Sequence, residues 1–230
     1  DELEPRDFSF NAPYGSCPDC YGIGSTEEVD DSLLIADPAL SIEEGVILPF
    51  KSGNYYPQVL EAVVRHMGED PSIPWEDLKP KTQKAVLYGT GSEKVRIDYH
   101  TLDGRNTYWY LEWEGVIEAV RRKYSEADTD SKREKLQSYF SIVPCKTCKG
   151  RRLKPEILAV TVGGKSIHDA CEMSAADSLR FFEGLSFAGA DDYVAGPIVK
   201  EVVARLRFLV DVGLDYLTLE PATATLSGGE

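Results

Sequence analysis

Apolar side chains recur at helical spacing along much of the chain. In residues 56–68 they lie three and four positions apart, and the segment ends at Gly68. This is the pattern of an amphipathic helix closed by a glycine. Its apolar face consists of Val59, Leu60, Val63, Val64 and Met67. Comparable patterns predict helix over residues 74–78, 79–89, 115–127, 130–140, 175–185 (with Ser174 as N-cap) and 196–214.

Strict alternation of apolar and polar residues marks one clear β segment. Val95, Ile97 and Tyr99 alternate with charged residues, an aromatic run follows, and Asp103-Gly104 stands between the two halves. This combination predicts a β-hairpin within residues 93–115. Weaker patterns predict a short strand or extended arm over residues 8–15, an acidic arm along the surface over residues 25–50, and a strand–turn–strand with Gly163-Gly164 as its turn over residues 156–170. The sequence therefore predicts an α+β fold.

Composition narrows the protein class. The 230 residues are 42% hydrophobic, and the formal net charge is −14. No run of eighteen apolar residues is present, and the first residues do not form a basic start followed by an apolar stretch, so we expect a cytoplasmic protein without a membrane partner. The acidic surplus argues against nucleic-acid binding over the whole surface, but it leaves room for a local basic patch.

The charge is unevenly distributed. Residues 21–50 hold seven acidic and no basic residues, whereas residues 51–144 hold fifteen acidic and fourteen basic ones. Within the second range the basic residues cluster on the two helices predicted near residues 115–140. These clusters are Arg121, Arg122 and Lys123 on the first helix, and Lys132, Arg133 and Lys135 on the second.

Four of the five cysteines form two copies of one pattern, "CPDCYG" and "CKTCKG". Two Cys-x-x-Cys turns facing each other make a tetrahedral four-sulfur site that suits Zn²⁺. The candidate ligands are Cys17, Cys20, Cys145 and Cys148. An odd cysteine count without a secretion signal disfavours a disulfide framework, and a thiol redox pair is the alternative. Cys171 has no partner at motif spacing and is expected to be a buried thiol.

The two cysteine pairs are separated by 124 residues, because 145 − 20 − 1 = 124. A site assembled across so long a gap has a topological meaning. We expect residues 1–20 and 145–230 to form one unit, with residues 21–144 inserted as a second unit. The metal would then join the two chain segments at the neck of the insertion.

A phosphate-binding loop is absent from the sequence. The stretch "TVGGKS" resembles the end of G-x-x-x-x-G-K-[ST], but the first glycine of that motif would fall on Ala159. A predicted strand, not a long helix, follows the lysine and serine. We interpret the two glycines as a hairpin turn.

The end of the chain carries the most specific motif. "LSGGE" resembles the signature motif of ABC-type ATPases, and the longer stretch "FLVDVGLDYLTLEPATATLSGGE" is more specific. Two further stretches, "FSFNAPYGSCPDCYGIG" and "CKTCKGRRLKPEILAVTVGGKSI", belong to the same resemblance. Together the three stretches resemble the N-terminal half of proteins of the UvrA family, the excinuclease ATPases that recognise damage in bacterial nucleotide excision repair. The resemblance extends over the whole chain.

The resemblance implies a nucleotide contact at the C-terminal motif. In that family, ATP with Mg²⁺ lies on the phosphate loop of one module and is covered by the signature loop of another. The implied nucleotide-binding residues are Ser227, Gly228, Gly229 and Glu230. The serine hydroxyl, the glycine N–H groups and the start of a following helix would all face the γ-phosphate. Because this segment has no phosphate loop, we expect it to be catalytically inactive by itself.

The resemblance also implies partners. Residues 21–144 would be the insertion domain of the first signature domain. The partners would be the rest of the polypeptide, a second copy in the full-length dimer, duplex DNA, and the helicase component of the excinuclease (its B protein), which binds through a region upstream of residue 1. The family has another cysteine pair upstream as well, so Cys17 and Cys20 have two candidate partner pairs. Candidate DNA contacts are Arg121, Arg122, Lys123, Lys132 and Arg133.

The basic clusters, the C-terminal motif and the cysteine pairs each have an alternative interpretation. The basic clusters also fit a solvated helix surface that is balanced by Glu118, Glu126 and Glu134. A self-standing, zinc-stapled protein-interaction module would make "LSGGE" a coincidence. A thiol redox or chaperone protein would use the cysteine pairs for turnover and would not need bound zinc.

Overall fold

The computed structural model describes residues 3–219, and the chain divides into two compact units. The first consists of Glu27–Val143. The second, the flanking unit, consists of the described residues before and after that range. The stretch "LSGGE" and the residues just before it, from position 220 onwards, lie outside the described residues.

The Glu27–Val143 unit is an α+β fold built around one hairpin. Its hydrophobic core is formed by α2, the inner face of the β2–β3 hairpin, and the helices that follow. The elements of this part of the chain are β1 Ser25–Val29, α1 Asp31–Leu34, α2 Tyr55–His66, α3 Pro80–Tyr88, β2 Lys94–His100, β3 Asn106–Glu112, α4 Val116–Ser125, α5 Asp130–Gln137 and β4 Phe140–Pro144.

The predicted hairpin is confirmed. β2 and β3 are antiparallel, and their register pairs Lys94 with Glu112 and His100 with Asn106. The connecting turn contains Gly104 at φ 80°, a left-handed conformation that glycine adopts without steric cost. The inward residues Val95 and Ile97 are fully buried, as the alternating pattern predicts.

The predicted helices of this unit are also confirmed, with bounds shifted by a few residues. Val59, Leu60, Val63 and Val64 of α2 are buried, as its periodicity predicts. α4 buries one face, whereas α5 has no fully buried residue. Residues 74–78 contain the single turn of helix that their pattern predicts, a 3₁₀ turn at Trp75–Asp77.

The acidic segment over residues 25–50 is not a surface arm. Leu34, Val46, Ile47 and Phe50 from this segment are almost fully buried in the core. The acidic residues face solvent or cap turns; Asp30, for example, accepts a hydrogen bond from the Ser32 N–H at 3.0 Å. The prediction was wrong because the density of acidic residues outweighed the spacing of the few apolar ones. The segment supplies β1, which pairs with β4 in a two-stranded sheet that the sequence pattern did not predict.

In the flanking unit, the predicted short strand or extended arm over residues 8–15 is wrong. The chain forms a 3₁₀ turn at Pro5–Phe8 and then a series of turns that leads to the first cysteine. The strand–turn–strand over residues 156–170 is wrong as well, although its turn is confirmed by the bridge between Val162 and Lys165. Helices flank the turn: α6 is Pro155–Leu158, and α7 is Ile167–Glu172.

Helix starts explain these differences. Pro155 occupies the first turn of α6, where a missing N–H costs nothing. Ser166 and Asp169 form a capping box at the start of α7. The predicted Ser174 cap is confirmed, because the Asp177 N–H donates to its Oγ at 3.1 Å and begins the helix Ala175–Glu183, α8.

The long helix α9, Ala190–Asp211, packs against α8 and begins six residues before the predicted start at 196. Asp191 and Asp192 in its first turn favour this earlier start, since acidic groups stabilise a helix N-terminus. Pro197 therefore lies inside the helix, not at its beginning. Leu206 on the predicted apolar face is buried, whereas Ile198 is 61% exposed.

Candidate functional site

The two Cys-x-x-Cys turns have the same backbone conformation. In each turn, the residue after the second cysteine adopts a left-handed conformation, with φ 52° at Tyr21 and 54° at Lys149. A glycine with positive φ follows, Gly22 at 81° and Gly150 at 88°. The glycine of each motif is required here because the chain must turn back over the sulfurs.

The turns are joined by a reciprocal pair of backbone hydrogen bonds. The Cys17 N–H donates to the Arg152 carbonyl at 2.8 Å, and the Cys145 N–H donates to the Gly24 carbonyl at 2.9 Å. In both cases the acceptor lies four residues after the second cysteine of the opposite turn. The two turns are therefore related by a local twofold arrangement. A side-chain bond from the Thr147 hydroxyl to the Asp19 carboxylate also connects them.

The four sulfurs form a closed cluster. All four ligand atoms lie within 4.8 Å of one another, with 3.9 Å between the Sγ atoms of Cys17 and Cys145 and 3.7 Å between those of Cys20 and Cys148. A tetrahedral site with Zn–S bonds of about 2.3 Å needs sulfurs about 3.8 Å apart. The distances and the donor set thus fit a four-coordinate zinc ion.

The burial and close spacing of the four sulfurs mean that a cation is required to stabilise them as thiolates. The four cysteines are between 1% and 5% exposed. The Gly24 N–H donates to the Cys20 Sγ at 3.2 Å. The N–H of Cys148 lowers the pKa of the Cys145 thiol to about 7, whereas burial raises the pKa of the Cys148 thiol to about 12. Four buried sulfurs this close can all be thiolates only when a cation shares the site.

The structure thus brings Cys17 and Cys20 together with Cys145 and Cys148, which is the pairing available within this chain. Cys171 lies apart from this cluster and is half-buried, not fully buried. Within residues 3–219 these four cysteines form the group of side chains suited to hold a metal ion.

The predicted cationic residues differ in their surroundings. Arg121 pairs with Glu118 one turn earlier on α4. Arg122 donates to Glu114 at 2.7 Å and to Glu126 at 3.2 Å, and the hydrogen bonds to Glu114 raise its pKa further above its ordinary value. Two of the three cations on α4 therefore form ion pairs with carboxylates on the protein surface, as the solvated-surface alternative expects.

The remaining cations are arranged around one cavity. Lys123 from α4 and Lys132 and Lys135 from α5 line a cavity of about 470 Å³. Lys132 pairs with Asp128 at 2.8 Å, and the Lys123 ammonium lies 4.8 Å from the centre of the Tyr56 ring. Arg133 does not line the cavity and donates to the Ala127 carbonyl at 3.2 Å.

Sequence reasoning missed the aromatic part of this cavity. Phe50, Tyr56 and Tyr139 line it beside the lysines. They come from three separate parts of the sequence, and each belongs to a pattern that also predicts ordinary core packing. No local signal distinguishes them, because the cavity arises from the tertiary arrangement.

The predicted nucleotide contacts Ser227, Gly228, Gly229 and Glu230 lie outside the described residues. Across the portion of the chain that the structure covers, no helix has both the length and the apolar character needed to cross a membrane.

Comparison with known proteins gives one consistent result. The family model described as "UvrA DNA-binding domain" matches residues 30–138, which lie inside the Glu27–Val143 unit. The whole chain aligns with proteins called UvrABC system protein A: it is 46% identical to that of Streptomyces coelicolor, 45% to that of Bacillus subtilis and 41% to that of Mycobacterium leprae.

The chain spans about a quarter of the length of the curated relatives it matches, 23% of the Streptomyces coelicolor protein and 24% of the other two. Among solved structures, the crystal structure of UvrA2 from Deinococcus radiodurans matches 97% of this chain and 30% of its own, with a TM-score of 0.59 and 23% identity, which supports the same fold. The chain therefore belongs to the UvrA family, as a segment that includes the UvrA DNA-binding domain.

Proposed function

We propose that the chain is a non-catalytic segment of the damage-recognition ATPase of bacterial nucleotide excision repair. The observation that carries this proposal is 41–46% identity to UvrABC system protein A over the entire chain. Residues 1–20 and 145–230 would be part of the first ABC signature domain, and residues 21–144 would be its insertion domain. Partners would be the remainder of the polypeptide, a second copy of it, duplex DNA, and the helicase component of the excinuclease through a region outside this chain.

Zn²⁺ is the proposed ion of the cysteine cluster, held by Cys17, Cys20, Cys145 and Cys148. Its role would be structural, since four protein ligands leave no open coordination position for a water or a substrate. The reciprocal backbone bonds hold the two turns in register, and the ion would neutralise the thiolates that burial otherwise disfavours. The support is the sulfur spacing, the burial of all four residues and the all-sulfur donor set.

The C-terminal motif would complete an ATP site whose phosphate loop lies elsewhere in the polypeptide. Ser227 would donate its hydroxyl, and the N–H groups of Gly228 and Gly229 would approach the γ-phosphate of Mg²⁺-bound ATP, with Glu230 beginning the helix behind them. This role rests on the family resemblance of the motif.

The Glu27–Val143 unit would contact duplex DNA through phosphates, without reading bases. Arg121, Arg122, Lys132 and Arg133 are exposed at the α4–α5 end of the unit, and Arg121 and Lys132 each have one carboxylate partner. Lys123 is a further candidate, and Arg122 ranks last because Glu114 and Glu126 already engage its guanidinium. The net charge of −14 predicts that the isolated chain binds DNA weakly.

The test belongs in a longer protein that carries this segment. Replacing Arg121, Lys132 and Arg133 with alanine should make the dependence of DNA affinity on salt shallower, by about 0.9 in the log–log slope for each lost phosphate contact. Lys81→Ala with Lys84→Ala, on α3 of the same unit, is a control that removes two exposed positive charges away from the α4–α5 end. ATPase activity should be retained in both variants. A slope equal to that of the parent protein would sink the DNA assignment.

A further inference from the structure

The second cysteine turn carries a high density of positive charge. Residues 145–154 hold five basic residues and no acidic one, in a chain whose net charge is −14. Two of the five, Lys149 and Arg151, are exposed and lie on either side of Gly150. We propose that Lys149 and Arg151 form a second DNA contact, on the flanking unit, which binds phosphates of the duplex backbone. The proposal rests on the DNA binding proposed above, but it uses a different surface from the α4–α5 end.

The first cysteine turn shows that the fold of the turn does not require these cations. Tyr21 and Lys149 have the same left-handed conformation, with φ 52° and 54°. The N–H groups of Ile23 and Arg151 each donate to the carbonyl of the second cysteine of their own turn, at 2.9 and 3.0 Å. Tyr21 and Ile23 are 79% and 70% exposed. Uncharged residues therefore occupy the two equivalent, solvent-facing positions of the first turn.

Other cations of the second turn hold the chain segment around the first turn. The Arg152 Nε donates to the Gly22 carbonyl at 2.6 Å, and its guanidinium lies 4.4 Å from the centre of the Phe10 ring. The Lys154 ammonium donates to the Tyr14 carbonyl at 2.6 Å. These two residues thus have a structural role that accounts for their charge.

Lys149 and Arg151 have no comparable role. Within residues 3–219, neither side chain has a carboxylate within ion-pair distance. The acidic residue of the two turns, Asp19, accepts a hydrogen bond from the Thr147 hydroxyl. Zinc bound by four thiolates keeps a net negative charge, so compensation of the metal centre is the competing explanation for these cations. That explanation predicts loss of zinc when the two charges are removed.

The phosphate backbone of DNA fits this pair of side chains. An arginine binds phosphate through its planar fork of N–H groups, and a lysine binds it as a point charge. Phosphate contacts position a protein on a duplex without reading its sequence. Duplex DNA is favoured over an acidic protein segment, because the chain belongs to the UvrA family and includes its DNA-binding domain. The acidic surplus elsewhere in the chain confines such contacts to local basic surfaces.

The experiment uses a longer, zinc-loaded protein that carries this segment, with duplex DNA affinity measured by fluorescence anisotropy at several salt concentrations. Lys149→Gln with Arg151→Gln should make the log–log slope shallower by about 1.8, from about 0.9 for each lost phosphate contact. Lys149→Arg with Arg151→Lys should keep the parent slope, because both charges remain. Lys200→Gln with Arg205→Gln is the control, since it removes two exposed positive charges from α9 of the same unit.

Zinc content, measured by elemental analysis, separates the DNA contact from a role at the metal. Lys149→Tyr with Arg151→Ile copies the residues of the first turn and should retain zinc while showing the shallower slope. A parent-like slope in the glutamine pair overturns the proposal. Loss of zinc, with the parent slope restored when zinc is resupplied, also overturns it and assigns the cations to the metal. The proposed contact at the α4–α5 end fails separately, when the Arg121, Lys132 and Arg133 variant keeps the parent slope, whatever the second turn does.

Discussion

Removing the proposed zinc ion should unfold the flanking unit and leave the Glu27–Val143 unit folded. Among the described residues, the buried apolar side chains of the flanking unit are the four cysteines, Leu153, Ile157, Ala175 and Leu206. The Glu27–Val143 unit buries twenty-two apolar residues that form a single cluster without the cysteines. The flanking unit therefore depends on its cysteine centre far more than the other unit does.

The loss of stability can be estimated from the loop that the cysteine centre closes. Cys17 and Cys145 are 128 positions apart. Because Glu27–Val143 stays folded, the cross-link closes only the short segments between the cysteines and that unit, which restricts the unfolded flanking unit by about 3 kcal/mol, before the ligand bonds themselves are counted. Folded domains are stable by about 5–15 kcal/mol in total. Loss of the centre should thus leave the flanking unit largely unfolded at 25 °C.

The assay uses two signals that separate the units. Chelation of zinc, or Cys145→Ser, should lower the helical circular dichroism because α8 and α9, with 9 and 22 residues, belong to the flanking unit. Tryptophan emission should remain unchanged, because all three tryptophans lie in the other unit. Cys171→Ser is the control and should retain one zinc per chain by elemental analysis. Unchanged dichroism in metal-free protein, or a red shift of the tryptophan emission, would refute this reasoning.

Three further predictions concern the signature motif, the hydrogen-bonded carboxylate of Glu69 and the N-cap of α8. In a longer protein that carries this segment, Ser227→Ala should lower ATP turnover more than nucleotide affinity, because the signature loop engages after binding; an equal loss of both in steady-state kinetics and nucleotide titration would contradict this role. Hydrogen bonds, first from the Thr82 hydroxyl, lower the pKa of Glu69, so its contribution to stability is present above the ordinary glutamate pKa and is lost as pH falls through the lowered value. Urea midpoints measured between pH 6 and 3 should show that Glu69→Gln removes part of this acid dependence, whereas an identical pH profile speaks against it. Ser174→Ala should destabilise the flanking unit by about 1 kcal/mol, since it removes the N-cap of α8; a thermal melt indistinguishable from that of the parent chain would disprove the capping role.

Periodicity was sufficient for the elements whose pattern is local. The hairpin, α2, α4 and the Ser174 cap follow from apolar spacing, from Asp103-Gly104 and from one hydroxyl at a helix start. The cysteine cluster also follows from sequence, because motif repetition is independent of the fold between the copies.

Other features depend on contacts between distant residues and could not be predicted in this way. β1 and β4 are each five residues long and lie more than a hundred residues apart, so neither has a pattern that identifies the other. Leu34 and Val46 lie in an acidic context whose composition indicates surface, yet the core of the unit needs them. The ion pairs that neutralise Arg122 involve Glu114, which lies outside the helix and outside any helical spacing rule.

The reciprocal hydrogen bonds between the two cysteine turns have an evolutionary and engineering consequence. The Gly24 carbonyl and the Cys145 N–H are 2.9 Å apart, so the chain leaves and re-enters the flanking unit across a gap of roughly one strand spacing, about 5 Å. An insertion site of this kind can accept any domain whose N- and C-termini lie close together, as they do in many compact domains. Replacing residues 27–143 with a short turn or an unrelated domain should therefore still allow the two cysteine turns to assemble. In evolution, the inserted domain can accordingly be exchanged without changes to the flanking unit.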